Sequence, residues 1–214
     1  VDTAPDLVNA HKHVMKKFGF ETKATDDIKK LVGRGAKTLI YRSIYNTAKK
    51  EFRKFTDEST KEEMVKEFID YYGRNINNES KLIDGVIDFL SWCKNEKISM
   101  GVCTNKQEHL AIDLLKKIKI YDYFEYVAGS NTFEYCKPDP RHLTSVLEII
   151  NGSIEKSVMI GDSETDADSA KNCGMKFILL ENGYTEKKVS EIHHDHLIKN
   201  FIGLEKIVKD YLND

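Results

Sequence analysis

The chain has 214 residues, 33 basic and 35 acidic side chains and a formal net charge of -2, a balance that gives no electrostatic reason to expect nucleic acid or a membrane as a partner. Its length suits one core domain with a modest insertion, and a hydrophobic content of 40% is too high for a disordered chain. Because no apolar run approaches the about 20 residues that span a bilayer and nothing at the start resembles a signal peptide, we expect a cytoplasmic protein whose four cysteines, none in a CxxC pair, are reduced.

Residues 4–78 are predicted to form a small all-helical unit. Its first helix carries an apolar stripe at steps of three and four, made of Leu7, Ala10, His11, Val14 and Phe18. Pro5 fits the first turn of this helix and Gly19 its end. Similar patterns predict helices over about 36–52 and 61–72.

The pattern changes at Leu82, where short apolar runs begin to alternate with helical stretches. Strands are predicted at 98–103, 126–128, 158–160, 177–180 and 196–198. Helices are predicted around 86–93 and 110–115, and over 140–150, 164–173 and 202–212. Because these strands are continuously apolar and separated by helices, they indicate a parallel sheet covered on both faces, which is an α/β fold.

Functional side chains follow two of the predicted strands and precede one helix. Thr104-Asn105 follow the first strand, Asp162 and Asp166 follow the third, and Lys137-Pro138 precede the helix at 140. Ligands of an open parallel sheet bind beyond the carboxyl ends of its strands. We therefore expect a hydroxyl, a lysine and two acids to meet at one edge of the sheet.

Helix capping would be a different role for several of these residues. Thr104 could accept a hydrogen bond from the helix that follows it, Ser163 with Asp166 resembles a capping box, and Asp139-Pro140 could begin a helix. Capping and phosphate binding are compatible, because both use the free amides at a helix N-terminus.

Capping does not account for Asp162 and Lys137. Asp162 directly follows an apolar strand and Gly161, where an unpaired charge is costly. A hard cation such as Mg²⁺ takes oxygen ligands and would account for this carboxylate. Lys137 offers a compact positive charge for a phosphoryl group or for a second carboxylate.

These residues, in this order, resemble motifs II, III and IV of the haloacid dehalogenase-like hydrolases. Thr104-Asn105 is similar to the hydroxyl motif, Lys137-Pro138 to the lysine motif, and residues 161–166 to the acidic motif. Residues 82–86 resemble the family's return from cap to core. Within the family, the phosphoglycolate phosphatase-like subgroup is the most similar, through residues 32–35 and 195–201.

The resemblance implies a fold and a domain organisation. The core would be a Rossmann-like parallel sheet with helices on both faces, made of residues 1–3 and 79–214. An all-helical cap domain of residues 4–78 would be inserted into it.

The resemblance also implies an activity. The chain would be a phosphoric monoester hydrolase that cleaves a small phosphorylated metabolite, phosphoglycolate or a sugar phosphate, with Mg²⁺ and through a phospho-aspartyl enzyme. Asp162 would ligate the metal, and Asp166 would support it directly, through water or through Lys137. Thr104 and Asn105 would hold phosphoryl oxygens, and Lys137 would stabilise charge on the nucleophile and the transferring group.

Motif I of the family, an apolar strand that ends in the nucleophilic aspartate, is expected upstream of Val1. Residues 1–7 resemble the stretch that follows this motif. Asp2 has no apolar strand before it, so we interpret it as a residue that caps or precedes the first helix. We expect the nucleophile in a longer natural chain; a catalytically inactive truncated homologue is the competing interpretation.

The sequence is also compatible with a β-phosphoglucomutase-like phosphomutase, which would share the fold and the aspartyl intermediate. The two acids argue against a metal-independent dehalogenase. Arg34, between two glycines, could bind a substrate carboxylate or be an ordinary surface residue. Residues 193–196 fit a solvated loop better than a metal site. Either a monomer or a homodimer is compatible with the sequence.

Overall fold

The computed structural model describes residues 1–47, 57–183 and 185–213. The chain forms two compact units, Val1–Lys81 and Leu82–Asp214. The last part of the helix predicted over 36–52 lies outside the described residues. The assignment of a cap domain and a core domain, with its boundary near residue 78, stays a prediction.

The first unit is built from helices. They are α1 (Ala4–Lys17), α2 (Thr25–Lys29), α3 (Ala36–Thr47) and α4 (Glu58–Arg74). A proline lies in the first turn of α1, and Gly19 follows its end with φ of +77°, as predicted. The carboxylate of Asp57 accepts a hydrogen bond from the Thr60 amide (2.7 Å) and so begins α4. The five-residue helix α2 has no counterpart in the prediction, since it is too short to show a period.

The two ends of the first unit are hydrogen-bonded to each other. Asp2 and Lys81 exchange backbone hydrogen bonds of 2.8 and 3.1 Å. The buried carboxylate of Asp6 accepts from the amides of Glu79 (3.0 Å) and Ser80 (2.9 Å). The Asp2 side chain accepts from the Ala4 amide (3.1 Å), as expected of a residue at the start of a helix.

The second unit alternates strands and helices. They are α5 (Val86–Asn95), β1 (Gly101–Cys103), α6 (Glu108–Lys117), β2 (Tyr126–Ala128), α7 (Arg141–Ile149), β3 (Val158–Gly161), α8 (Glu164–Cys173), β4 (Lys176–Leu180), β5 (His196–Ile198) and α9 (Leu204–Asn213). All strand pairs are parallel, with β1 beside β2 and a second group in the order β3-β4-β5. The prediction of an α/β fold with a parallel sheet is confirmed.

The first strand is shorter than predicted. The predicted run began at Ile98, but the amide of this residue donates to the Cys93 carbonyl (2.9 Å) and closes the end of α5. Lys97, just before it, has φ of +59°. Only the last three residues of the predicted strand pair with β2.

Strand β4 is buried on both of its faces. Phe177 and Leu179 pack with residues of α7 and α8, whereas Ile178 and Leu180 pack with residues of α5 and α9. Helices therefore cover both faces of the sheet, as predicted. In the described part of the chain, no helix is both long and apolar enough to cross a membrane.

Strands β1 and β3 differ from β4 in burial and pairing. Every residue of β3 is only partly buried, and Gly101 of β1 is exposed, although both strands are largely apolar. Among the described strands, β1 pairs only with β2, and β3 pairs only with β4. Each therefore has one side without a partner strand in the described chain.

Candidate active site

The side chain of Lys137 joins the end of β1 to the first turn of α8, the helix that follows β3. Its Nζ donates to the carbonyl of Cys103, the last residue of β1 (2.6 Å), and to Oδ1 of Asp166 (2.5 Å). The Lys137 and Asp166 side chains are 8% and 5% exposed, so this is a buried ion pair. Two of the predicted site residues, distant in sequence, are thus in direct contact.

The second oxygen of Asp166 organises the turn after β3. Oδ2 accepts from the amides of Asp162 (3.0 Å) and Ser163 (3.1 Å) and from the Ser163 hydroxyl (2.8 Å). The capping role suggested for Ser163 and Asp166 is therefore correct, and the same carboxylate also binds Lys137. Gly161 is needed here because a Cβ on it would lie 2.5 Å from the Cβ of Asp166.

Each member of this ion pair stabilises the charged form of the other. Burial alone would lower the pKa of Lys137, but the neighbouring Asp166 carboxylate more than offsets it, so the pKa is raised. Burial would raise the pKa of Asp166, but the Lys137 ammonium and the hydrogen bonds from Ser163 and the Asp162 amide hold it below its usual value. Both groups are consequently charged at neutral pH.

The Asp162 carboxylate is in a different environment. Burial, together with the negative charge of Asp166, raises the pKa of Asp162 to about 6, although Lys137 opposes the shift. Within the described ranges, no other side chain donates a hydrogen bond to this carboxylate. A partly buried acid without a side-chain donor, next to a second carboxylate, is one that a bound cation would stabilise.

Thr104 and Asn105 lie at the same edge. The Asn105 amide group donates to the Lys137 carbonyl (3.0 Å), and Thr104 Oγ1 accepts from the Lys106 amide (3.1 Å). The suggestion that Thr104 caps the following helix is wrong, because α6 begins only at Glu108. The Glu108 amide donates instead to the Asn131 side chain (2.9 Å).

The remaining predicted residues belong to other segments of the chain. Arg34 is exposed in the first unit, between two glycines with φ of +99° and +85°. In the 193–196 stretch, His194 Nδ1 is 2.7 Å from the Ile192 carbonyl and His196 Nδ1 is 2.6 Å from the Tyr211 hydroxyl. No group of three potential metal-ligating side chains occurs in the part of the chain that the structure describes.

Several supporting residues were not identified from the sequence. Asn131 and Thr132 fasten the loop after β2 to the start of α6, since Thr132 Oγ1 donates to the Glu108 carboxylate (2.5 Å). Gly183, in the loop after β4, contacts the turn that carries Asp162. Glu164, at the start of α8, accepts a hydrogen bond from Glu186 of the same loop. These contacts join distant stretches of the chain, and the only local signal was a glycine shortly after β4.

The described residues fit a Mg²⁺ ion in part. Asp162 supplies one carboxylate, and the oxygens of Asp166 are already bound by Lys137 and the turn. Magnesium characteristically keeps several waters and binds through one or two carboxylates plus substrate phosphate. One available carboxylate is compatible with this ion; Asp162 would be its ligand, and Asp166 would support Asp162 through the turn.

The family model of the haloacid dehalogenase-like hydrolases matches residues 1–180. Among curated proteins, the chain is 34% identical over 206 residues to the phosphoglycolate phosphatase of Caulobacter vibrioides, covering 96% of this chain and 85% of that protein. It is also 34% identical over 204 residues to the phosphoglycolate phosphatase of Agrobacterium fabrum, with coverages of 95% and 85%.

Solved structures share the fold. One, described as a predicted phosphoglycolate phosphatase from Haemophilus somnus, matches with a TM-score of 0.90 at 23% identity, covering 96% of this chain and 92% of that one. The β-phosphoglucomutase of Clostridium difficile matches with a TM-score of 0.82 at 18% identity, with coverages of 100% and 92%.

The fold, the residues near the strand ends and the sequence relatives all indicate the same class of protein. The chain belongs to the haloacid dehalogenase-like hydrolase family. Within that family, the Caulobacter and Agrobacterium relatives are both phosphoglycolate phosphatases.

Proposed function

We propose that this chain is a Mg²⁺-dependent phosphatase that cleaves a small phosphate monoester, phosphoglycolate or a sugar phosphate, through a phospho-aspartyl intermediate. Its family and its curated relatives make it a phosphoric monoester hydrolase. The choice of phosphoglycolate follows those relatives at about a third identity. The metal follows the chemistry of the strand-end residues, and the covalent intermediate is what the resemblance to the family implies.

One observation carries the proposal: the buried Lys137–Asp166 ion pair lies beside the Asp162 carboxylate, which has no side-chain donor among the described residues. The pair holds a positive charge at the ends of β1 and β3, where a phosphoryl group could be bound. The neighbouring carboxylate supplies an oxygen ligand for a hard cation. Opposite charges held at fixed positions in a dry site are a main source of rate in phosphoryl transfer.

The nucleophile is proposed to lie upstream of Val1, at the end of a strand between β1 and β3. Both strands are apolar yet only partly buried or exposed, and each lacks a partner strand on one side within the described chain. A parallel strand in this position would satisfy the backbone groups on those sides. Its carboxyl end would lie next to Lys137 and Asp162.

The chain's own residues would divide the remaining work. Lys137 would stabilise the negative charge on the nucleophile and on the transferring phosphoryl group, while Asp166 keeps its ammonium in place. Thr104 and Asn105 would contact phosphoryl oxygens, and Asn105 also orients Lys137 through its carbonyl. Bound Mg²⁺, held by Asp162, would supply neutralisation of the charge on the phosphate oxygens.

The test is phosphate release by the natural full-length protein. Phosphoglycolate, sugar phosphates and p-nitrophenyl phosphate are compared with and without Mg²⁺, with chelator as control. We expect Mg²⁺-dependent release, fastest with one of the two small metabolite classes. Equal release in the presence of chelator would contradict the metal assignment, and conversion of a sugar phosphate into its isomer without release would indicate a phosphomutase.

Asp162→Asn is the decisive variant. We expect loss of phosphate release by at least about 100-fold, since the charge that binds the cation is removed while the shape is kept. The melting temperature without metal should not fall, because a carboxylate that burial disfavours is replaced by a neutral amide. Asp168→Asn, on the exposed side of α8, is the matched control and should retain activity. Activity retained by Asp162→Asn would remove this residue from the proposed site.

A further inference from the structure

We propose that Gly183 is a positioning residue for Asp162, and that Glu164 holds residues 186–187 of the loop after β4 against the turn that carries this carboxylate. The inference rests on the proposed role of Asp162. It concerns the loop after β4, which the sequence did not connect with the site. Two independent contacts support it, one steric and one made of hydrogen bonds.

The steric contact is between Gly183 and the backbone of Asp162. A Cβ built on Gly183 would lie 1.9 Å from the Asp162 carbonyl oxygen, 2.6 Å from its Cβ and 2.7 Å from its carbonyl carbon. These are backbone atoms and the first side-chain atom, which cannot rotate away. The φ of Gly183 lies outside the left-handed region, so space rather than backbone conformation demands glycine here.

The hydrogen-bonded contact is made by Glu164, two residues after Asp162. Glu164 is buried, and its Oε1 accepts from the amides of Glu186 (2.7 Å) and Lys187 (2.8 Å). A carboxylate that accepts two backbone amides makes strong, charge-assisted hydrogen bonds. The loop is thus fixed to the first turn of α8 a few residues beyond its contact at Gly183.

Together the two contacts restrain the backbone of the turn that carries Asp162. The same turn is also held by Asp166, whose carboxylate accepts from the Asp162 amide. Since Asp162 has no donor from another side chain in the described ranges, the direction of its carboxylate is set by this packed backbone. Groups that orient a metal ligand typically contribute about 10–100-fold to metal affinity. We therefore expect the loop to tune cation affinity without touching the cation.

The experiment measures Mn²⁺ binding to the natural full-length protein by electron paramagnetic resonance. Gly183→Ala should raise the dissociation constant for Mn²⁺ about 10-fold or more, because the added methyl group must displace the Asp162 backbone. Gly152→Ala is the matched control. The nearest atom to its Cβ would be the flexible tip of Leu147 (3.0 Å), and the next is Ser157 Oγ (3.6 Å), an ordinary contact, so Mn²⁺ affinity should be unchanged.

A second pair of variants covers the case in which Gly183→Ala does not fold. Glu164→Ala should weaken Mn²⁺ binding severalfold, and Glu164→Gln, which keeps an acceptor oxygen, should restore most of it. Melting temperatures without metal identify any general loss of stability. A loss of stability in Glu164→Ala with unchanged Mn²⁺ affinity would mean a purely structural role and would overturn the proposal.

The outcomes separate this inference from the proposed function. Wild-type protein that binds no Mn²⁺, or an Asp162→Asn variant that binds it as well as wild type, would refute the metal site itself. Binding by wild type that is lost in Asp162→Asn but unchanged in folded Gly183→Ala and Glu164→Ala would refute only the positioning role.

Discussion

Lys137 is a buried cation whose position depends on the end of β1 and on the first turn of α8. Its ammonium binds the Cys103 carbonyl and the Asp166 carboxylate, and its own carbonyl accepts from Asn105. A buried ion pair of this kind contributes little net stability, but the loss of one partner leaves an uncompensated charge. The small net gain in stability is consistent with the functional role proposed for Lys137.

Lys137→Met should separate the two effects. We expect loss of phosphate release and a fall of about 3–5 kcal/mol in the free energy of unfolding, because Asp166 is left buried and unpaired. Adding Asp166→Asn should recover part of the stability but none of the activity. Denaturant unfolding and phosphate-release assays measure both quantities.

Lys176→Met is the control for this prediction. Lys176 pairs with Asp195 at the surface, where its side chain is 55% exposed, so the change should cost no more than about 1 kcal/mol. A similar loss of stability in Lys176→Met and Lys137→Met would contradict the idea that burial makes the difference.

For single residues, the sequence predicted the site best where charged side chains lie near the ends of strands. Lys137 and Asp166, 29 positions apart, could be brought together in advance because parallel strands end at one edge. Gly183 could not, since its contact with Asp162 depends on the path of a loop. The suggested helix-capping role of Thr104 failed because α6 starts four residues later and its first amide is bound by Asn131.

At the scale of elements, β4 is the centre of the described three-stranded group. It pairs with β3 on one side and β5 on the other, and its residues face α7 and α8 or α5 and α9 in alternation. Continuous apolar sequence predicted this strand well, because both faces are buried. The start of β1 was predicted less well, since the apolar residues Ile98 and Met100 lie between α5 and the three residues that pair with β2.

Leu179→Ala should lower the free energy of unfolding by about 2–5 kcal/mol, because the side chain is fully buried and its loss leaves a cavity. Leu197→Ala is a matched control in the neighbouring strand, since these two residues are paired in register. Leu197 is 43% exposed, so its truncation should cost well under half as much. Chemical denaturation of both variants tests this, and equal costs would contradict the described burial of β4.

At the scale of the whole molecule, each unit contains a fully buried histidine. Burial, together with nearby Lys23 and Lys12, lowers the pKa of His11 to about 4, and burial together with Lys137 lowers that of His142 to about 4. Both are neutral when folded but take up a proton on unfolding below their usual pKa of 6.5. The stabilising effect of their neutral state is therefore complete above pH 6.5 and is lost as the pH falls towards 4.

We expect each histidine to account for up to about 3 kcal/mol of this acid sensitivity. His11→Gln should flatten the dependence of unfolding free energy on pH between about 6.5 and 4.5, even if it lowers stability at neutral pH. His109→Gln, at an exposed position of α6, should leave the pH dependence unchanged. Urea unfolding at several pH values measures this pH dependence. If His11→Gln leaves the slope of unfolding free energy against pH unaltered, the contribution assigned to His11 is wrong.

The closed ends of the first unit have an evolutionary consequence. Because Asp2 and Lys81 are hydrogen-bonded to each other, the segment between them begins and ends at the same place. Under the predicted domain organisation, a segment with this geometry would be exchangeable between related proteins without changes to the strands that follow. Exchange of this segment would then alter selectivity while the residues at the strand ends stay the same.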